Sequence, residues 1–412
     1  MSGNSRRFWE RAGRNGRQNT CRFRWLLLVC IMICNLCISL IILYLLLADV
    51  VFIPQTAITM KTTRAPLTAT SMKHSIKLKK WTRVAKMNYP RHGHTELVLK
   101  NGNVLVTGGL NADYPVNTSE FYDVFTNTWI ATKNMHFARC GHTMSLLSSG
   151  DVLVAGGFSL EGAYLATAEL YNPSTQTWTI VADMSAPRYR HTASTLEDGQ
   201  VLLIGGWSGF NELDSVELYD SNTKNWKLIN SMKYRRQAHT ATVLKDGKIL
   251  VAGGYTESTE IKHTELYDPS QKKWTTLKPM NAARSDHTAS LLTDGNVLAV
   301  GGYDGTSELN TVELYDRLSQ VWTVVNNMNN KRSEHSASLL ANGQVLVAGG
   351  WNGQIELQTV EAYDPPTKSW VHLANMTLKR RQHTASVLTN GALLIAGGVS
   401  HKTILDRVEL YQ

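Results

Sequence analysis

Residues 280–322 read MNAARSDHTASLLTDGNVLAVGGYDGTSELNTVELYDRLSQVW, and their pattern decides the fold. From His287 to Leu292 the chain alternates; Asp294-Gly295 is a two-residue hairpin turn, and Val297-Leu298-Ala299-Val300 runs apolar into Gly301-Gly302. Val312-Glu313-Leu314-Tyr315 and Trp322-Thr323-Val324-Val325 supply a third and a fourth strand. This is four short strands joined by turns, with no helical period long enough to compete.

Outward from this stretch the same unit recurs. Gly-Gly pairs begin at 108, 156, 205, 253, 301, 349 and 397. Glu-x-Tyr follows each pair, from Glu120/Tyr122 to Glu409/Tyr411, and six of those tyrosines precede Trp129, Trp178, Trp226, Trp274, Trp322 or Trp370 by seven residues. A Met lies six residues beyond each Trp, an Arg four further on, and a His three beyond that, as in Met280, Arg284 and His287. A four-stranded unit cannot bury its own faces, but units packed radially cover one another, so the expected fold class is all-β, a seven-bladed β-propeller. The last unit reaches Tyr411-Gln412 without a Trp strand, whereas an unmatched Trp81 precedes the first Gly-Gly. Strand 81–86 is therefore expected to complete the blade built by 383–411.

The paired glycines, the Tyr and Trp seven apart and the Met-x-x-x-Arg-x-x-His-Thr-Ala opening most units resemble the kelch repeat over 81–412. That resemblance implies a seven-bladed propeller like the central domain of galactose oxidase. It implies little about activity, since kelch propellers serve as protein-binding platforms, carbohydrate-handling domains and occasionally enzymes. Kelch-type oxidases similar to galactose oxidase hold copper with Tyr and His and cross-link a Cys to one Tyr. Here Cys140 merely follows the repeated Arg139, and no extra Tyr/His pair stands out from the repeat. No catalytic triad, carboxylate pair or phosphate loop rises above it either. No catalytic residue, metal or cofactor is expected.

Recognition is expected on the face carrying the loops after each Gly-Gly, at 110–119, 158–168, 207–216, 255–264, 303–312, 351–360 and 399–408. The residues following the glycines include Trp207, Tyr255, Tyr303 and Trp351, with polar Asp304 and Asn352 beside them. Aromatic residues around a concave mouth suit a sugar or a peptide, and equally suit packing against the next blade. The seven repeated arginines, Arg91 to Arg380, are matched by the seven Glu of Glu-x-Tyr and are expected to pair with them inside each blade. Arg190, Arg235 and Arg381 fall outside the repeat and are ligand candidates. The seven repeated His are read as structural hydrogen-bonding groups.

The chain has 412 residues, with 42 Lys+Arg against 33 Asp+Glu. Residues 1–24 hold seven Arg and one Glu, whereas residues 81–412 hold 29 basic and 31 acidic side chains, so the propeller offers no footprint for nucleic acid. Residues 25–48, from Trp25 to Ala48, carry no charge, and as a helix would reach about 36 Å, enough for a hydrocarbon core of about 30 Å. The run is too long for the core of a signal peptide. Arginines before it and few charges after it put the N-terminus in the cytoplasm. The expected organisation is a basic tail (1–24), a signal-anchor helix in the lipid bilayer (25–48), a Thr-rich stalk (49–80) and the propeller (81–412).

These features describe a single-pass type II membrane protein of the plasma membrane or Golgi, its propeller extracellular or lumenal. Its expected function is a membrane-anchored binding module for a protein or glycan ligand. The alternative is a lumenal carbohydrate-active enzyme, galactose-oxidase-like or sugar-isomerising. Asn117 and Asn375 stand in glycosylation sequons that this topology would expose. Cys140 is the only cysteine beyond the span, so the propeller must be held by its core rather than by disulfides.

Overall fold

The computed structural model describes residues 80–412 apart from Asp113. The basic tail, the span 25–48 and all of the stalk before Lys80 lie outside the described residues; among the latter, no helix is long and apolar enough to cross a membrane.

The quoted stretch forms blade 5. Thr288–Leu291 pairs antiparallel with Val297–Val300, which pairs with Val312–Asp316, which pairs with Val321–Val325. Gly295, at φ 89°, makes the first turn, donating its N–H to Leu292 O at 3.0 Å. Asp316 caps the last turn by accepting the N–H of Ser319 at 2.7 Å.

Seven four-stranded sheets repeat this order. We number them 1 to 7 from first strands Thr95–Val98, Thr143–Leu146, Thr192–Thr195, Thr240–Val243, Thr288–Leu291, Ser336–Leu339 and Thr384–Val387. The seventh sheet draws its outer strand from the other end of the propeller: Trp81–Arg83 pairs with Val408–Tyr411, Trp81 opposite Tyr411 and Arg83 opposite Glu409. This strand is shorter than the expected 81–86.

The core lies between blades. Val104, Val106, Tyr122 and Trp129 of blade 1 pack on Leu388, Leu394 and Val408 of blade 7, and comparable clusters fill the other interfaces. Every second strand is buried along its length, which is why it reads as a continuous apolar run rather than an alternation. Each Trp also donates its indole N–H backwards: Trp178 to Lys133 O at 2.8 Å, and Trp81 of blade 7 to Ala374 O at the end of blade 6 at 2.7 Å. Trp322 differs, reaching the Thr264 hydroxyl instead.

Candidate functional site: the loop face and axial channel

The repeated polar residues are structural. Arg284 is fully buried and donates to Gly301 O at 2.7 Å, Thr311 O at 3.1 Å and Glu313 Oε1 at 2.8 Å. Glu313 Oε2 in turn accepts the backbone N–H of Asn281 at 2.7 Å, tying the loop between blades to the third strand. All seven blades carry such an Arg–Glu pair, from Arg91–Glu120 to Arg380–Glu409. Their guanidinium groups are spent inside the blades and form no basic ring for a ligand.

The histidines close a ring of their own. His142 Nε2 meets Thr95 Oγ1 of the preceding blade at 2.7 Å, the pattern repeats around the molecule, and His94 closes it on Thr384 at 2.7 Å. Burial holds these imidazoles well below the ordinary histidine range, so they are neutral at physiological pH.

Just before each His stands a residue in the left-handed region: Gly93, Gly141, Arg190, Ala238, Asp286, Glu334 and Gln382, with φ from 51° to 59°. The N–H of each donates to the carbonyl of its counterpart in the preceding blade, at 3.0 to 3.3 Å, so seven backbone hydrogen bonds form a closed ring around the axis. Conformation is shared at these positions but side chains are not, so this ring is where the molecule departs from seven-fold symmetry.

Two of the expected ligand arginines belong to that departure. Arg190 pairs with Asp286 two blades away, and this carboxylate pushes its pKa up. Arg381 pairs with Glu334 at 2.7 Å and lies 5.2 Å over the Trp351 ring, while Gln382 donates to Glu334 and meets His92 Nδ1 at 2.7 Å. The third, Arg235, faces Asp214 at 3.6 Å on the surface. Each of the three has an internal carboxylate partner.

The expected aromatic residues Trp207, Tyr255, Tyr303 and Trp351 are half-buried. Each is backbone-paired with the residue after the repeated Arg of its own blade: Tyr189, Gln237, Ser285 and Ser333. The loop polar residues serve local turns: Asp304 Oδ1 accepts the N–H groups of Thr306 and Ser307 at 2.8 Å, and Asn352 Oδ1 those of Gln354 and Ile355 at 2.9 Å. The tips beyond them are bare. Tyr114 (65%), Leu160 (45%) and Phe210 (91%) are exposed on the adjacent loops of blades 1, 2 and 3. Of the sequon residues, Asn375 is exposed, whereas Asn117 is half-buried and spends its amide on Met135 O at 3.0 Å.

Two features escaped the sequence reading. One is a pair of adjoining clefts between blades 3 and 4, of about 420 and 450 Å³, sharing Leu196, Asp198 and Pro269; ordinary turn and strand residues line them, so nothing marked them in advance. The other is Glu96, which faces the axial channel; its signal was its place in the repeat, where five other blades carry alanine and blade 2 carries Met144.

A family profile described as the Attractin/LZTR1 beta-propeller matches residues 60–307, and one described as the KLHDC2/KLHL20/DRC7 Kelch-repeats domain matches residues 230–398. No curated protein sequence matches the chain. Among solved structures, the chain is similar to a fungal alcohol oxidase of the AA5 family in complex with copper. The TM-score is 0.67 at 19% identity, over 81% of this chain and 76% of that one, a likeness of fold. Among the described residues no three His, Cys, Asp or Glu side chains gather where they could hold a metal ion. Cys140 is buried, its thiol pushed up to about 11 by burial, and Tyr234, stacked 3.8 Å from His263, has no third donor from that set. With seven kelch-type blades in the structure and a propeller profile matching more than half of the sequence, the chain belongs to the kelch-repeat β-propellers, within the Attractin/LZTR1 propeller family.

Proposed function

We propose that this protein is a membrane-anchored binding module that holds its propeller on the extracellular or lumenal side and recognises a protein ligand through the loop face. The observation that carries the reading is the set of exposed apolar tips Tyr114, Leu160 and Phe210 on the successive loops of blades 1, 2 and 3, with the half-buried aromatics Trp207, Tyr255, Tyr303 and Trp351 on the loops of blades 3 to 6. Apolar exposure on successive loops of a rigid scaffold suits an interaction surface, and aromatic residues are the usual anchors of one. A protein ligand suits the site better than a strongly acidic peptide or sulfated glycan, because Arg190, Arg235 and Arg381 already have carboxylate partners. The uncharged run 25–48, its flanking arginines and the Thr-rich segment after it support the anchor and the stalk.

Arrays of peptides and neutral glycans probed with the full chain, repeated with Phe210→Ala and Trp351→Ala, test the site. Peptide binding weakened about tenfold or more by either change is expected. Equal binding by all three proteins would remove the loop face from consideration. Protease protection of the C-terminus in intact cells, against its cleavage at the cell surface or in opened vesicles, tests the orientation.

A further inference from the structure

The axial channel is walled by the seven first strands, and of their side chains only Glu96 is ionisable. A cavity of about 320 Å³ opens there, bounded by Glu96, His142, Met144, Ala193 and Ala385. Glu96 Oε2 accepts the hydroxyl proton of Thr384 in blade 7 at 2.6 Å, and the Ser386 hydroxyl is a second donor to the same carboxyl. Oε1 is buried and has no close hydrogen-bond partner beyond the Ser386 hydroxyl beside the carboxyl. The neighbouring imidazoles, His94 and His142, are neutral and already engaged by hydroxyls, so neither supplies a countercharge. A carboxylate left this way draws a cation that brings its own hydrogen-bond donors.

We propose that the channel binds a primary alkylammonium group, its charged end on Glu96 and its aliphatic chain along Met144, Ala193 and Ala385. A bare metal ion fits less well, because among the described residues no set of three acidic, imidazole or thiol ligands gathers, and His94 and His142 are engaged by hydroxyls. An ammonium needs only one carboxylate and water or hydroxyl oxygens as further acceptors. The ring on the loop side leaves an opening in this sector, since Gly93 carries no side chain and a Cβ there would meet no atom within 4 Å. The same chemistry is presented by a lysine side chain of a polypeptide and by a free aliphatic diamine. This site is separate from the loop-face tips, so either reading can fail without the other.

Titration calorimetry of the full chain with cadaverine, and with a lysine-bearing peptide blocked at both ends, tests the proposal at pH 8 and pH 5. Saturable binding of at least one ligand at pH 8 is expected. It should be weakened about tenfold or more in Glu96→Gln, and at pH 5, where the carboxyl takes up a proton. Cadaverine alone binding would identify a free amine as the occupant, and the peptide a partner's lysine. Glu96→Ala restores the residue found in five other blades, and a melting curve checks that both variants fold. No binding by the wild type, or equal binding by wild type and variants, would overturn the proposal, as would equal binding of 1-pentanol.

Discussion

At the scale of single residues, position in a repeat and departure from it carry different information. A side chain present in every blade, such as Arg284 or His287, is part of the frame, and its burial and partners bear this out. Glu96 is the opposite case. Burial pushes its carboxyl up to about 7 from an ordinary 4.5, so the fold keeps a proton that the unfolded chain gives up. The stabilisation from that proton is complete below about pH 4.5 and is lost as pH rises through 7. Glu96→Gln is therefore expected to match the wild type near pH 4.5 and to exceed it at pH 8 by up to about 3 kcal/mol. Urea unfolding of both proteins at the two pH values measures this, and a gap that does not widen with pH refutes the burial account.

At the scale of elements, the strand order was legible because three signals agreed in each unit: a hairpin turn, an apolar run ending at paired glycines, and a Tyr–Trp spacing that the structure places as facing residues on the third and fourth strands. The Arg–Glu pairs were legible from their equal numbers. The partners of Arg190 and Arg381 were not, since Asp286, two blades away, and Glu334, in the preceding blade, meet them only once the ring closes around the axis. Sequence likewise could not place the turn-capping roles of Asp304 and Asn352, which depend on the loop's backbone path. The buried pair gives a sharp prediction. Arg284→Met leaves Glu313 without its cation and should cost about 3–5 kcal/mol in chemical denaturation. Arg284→Lys should not restore it, because one ammonium cannot donate to Gly301, Thr311 and Glu313 in the same fork. A loss below about 1 kcal/mol would show that the pair is dispensable.

For the whole propeller, stability depends on a circle in which each blade is covered on both sides. The seam lies within blade 7, where the circle is closed by strand pairing rather than by the continuous chain: Trp81–Arg83 lies on Val408–Tyr411, with Trp81 and Tyr411 ring centroids 5.1 Å apart. Removing 81–87 should lower the denaturation midpoint of the entire propeller, since it strips blade 7 of a strand and the interface of Met87. Hydrogen exchange should then rise first in Val408–Tyr411, the strand that loses its paired neighbour. Unchanged melting would mean that the strand is an accessory rather than the closure.

That seam also fixes how the molecule responds to tension. The chain ahead of Lys80 runs directly into the closing strand, and Lys80 is itself hydrogen-bonded to Gln412. A pull from the N-terminal side therefore acts on the outermost strand of blade 7, where rungs can yield one after another starting at Trp81, rather than shearing a whole sheet at once. Mechanical force applied there would open the circle before it disturbed any other blade, making the junction a weak link sensitive to strain.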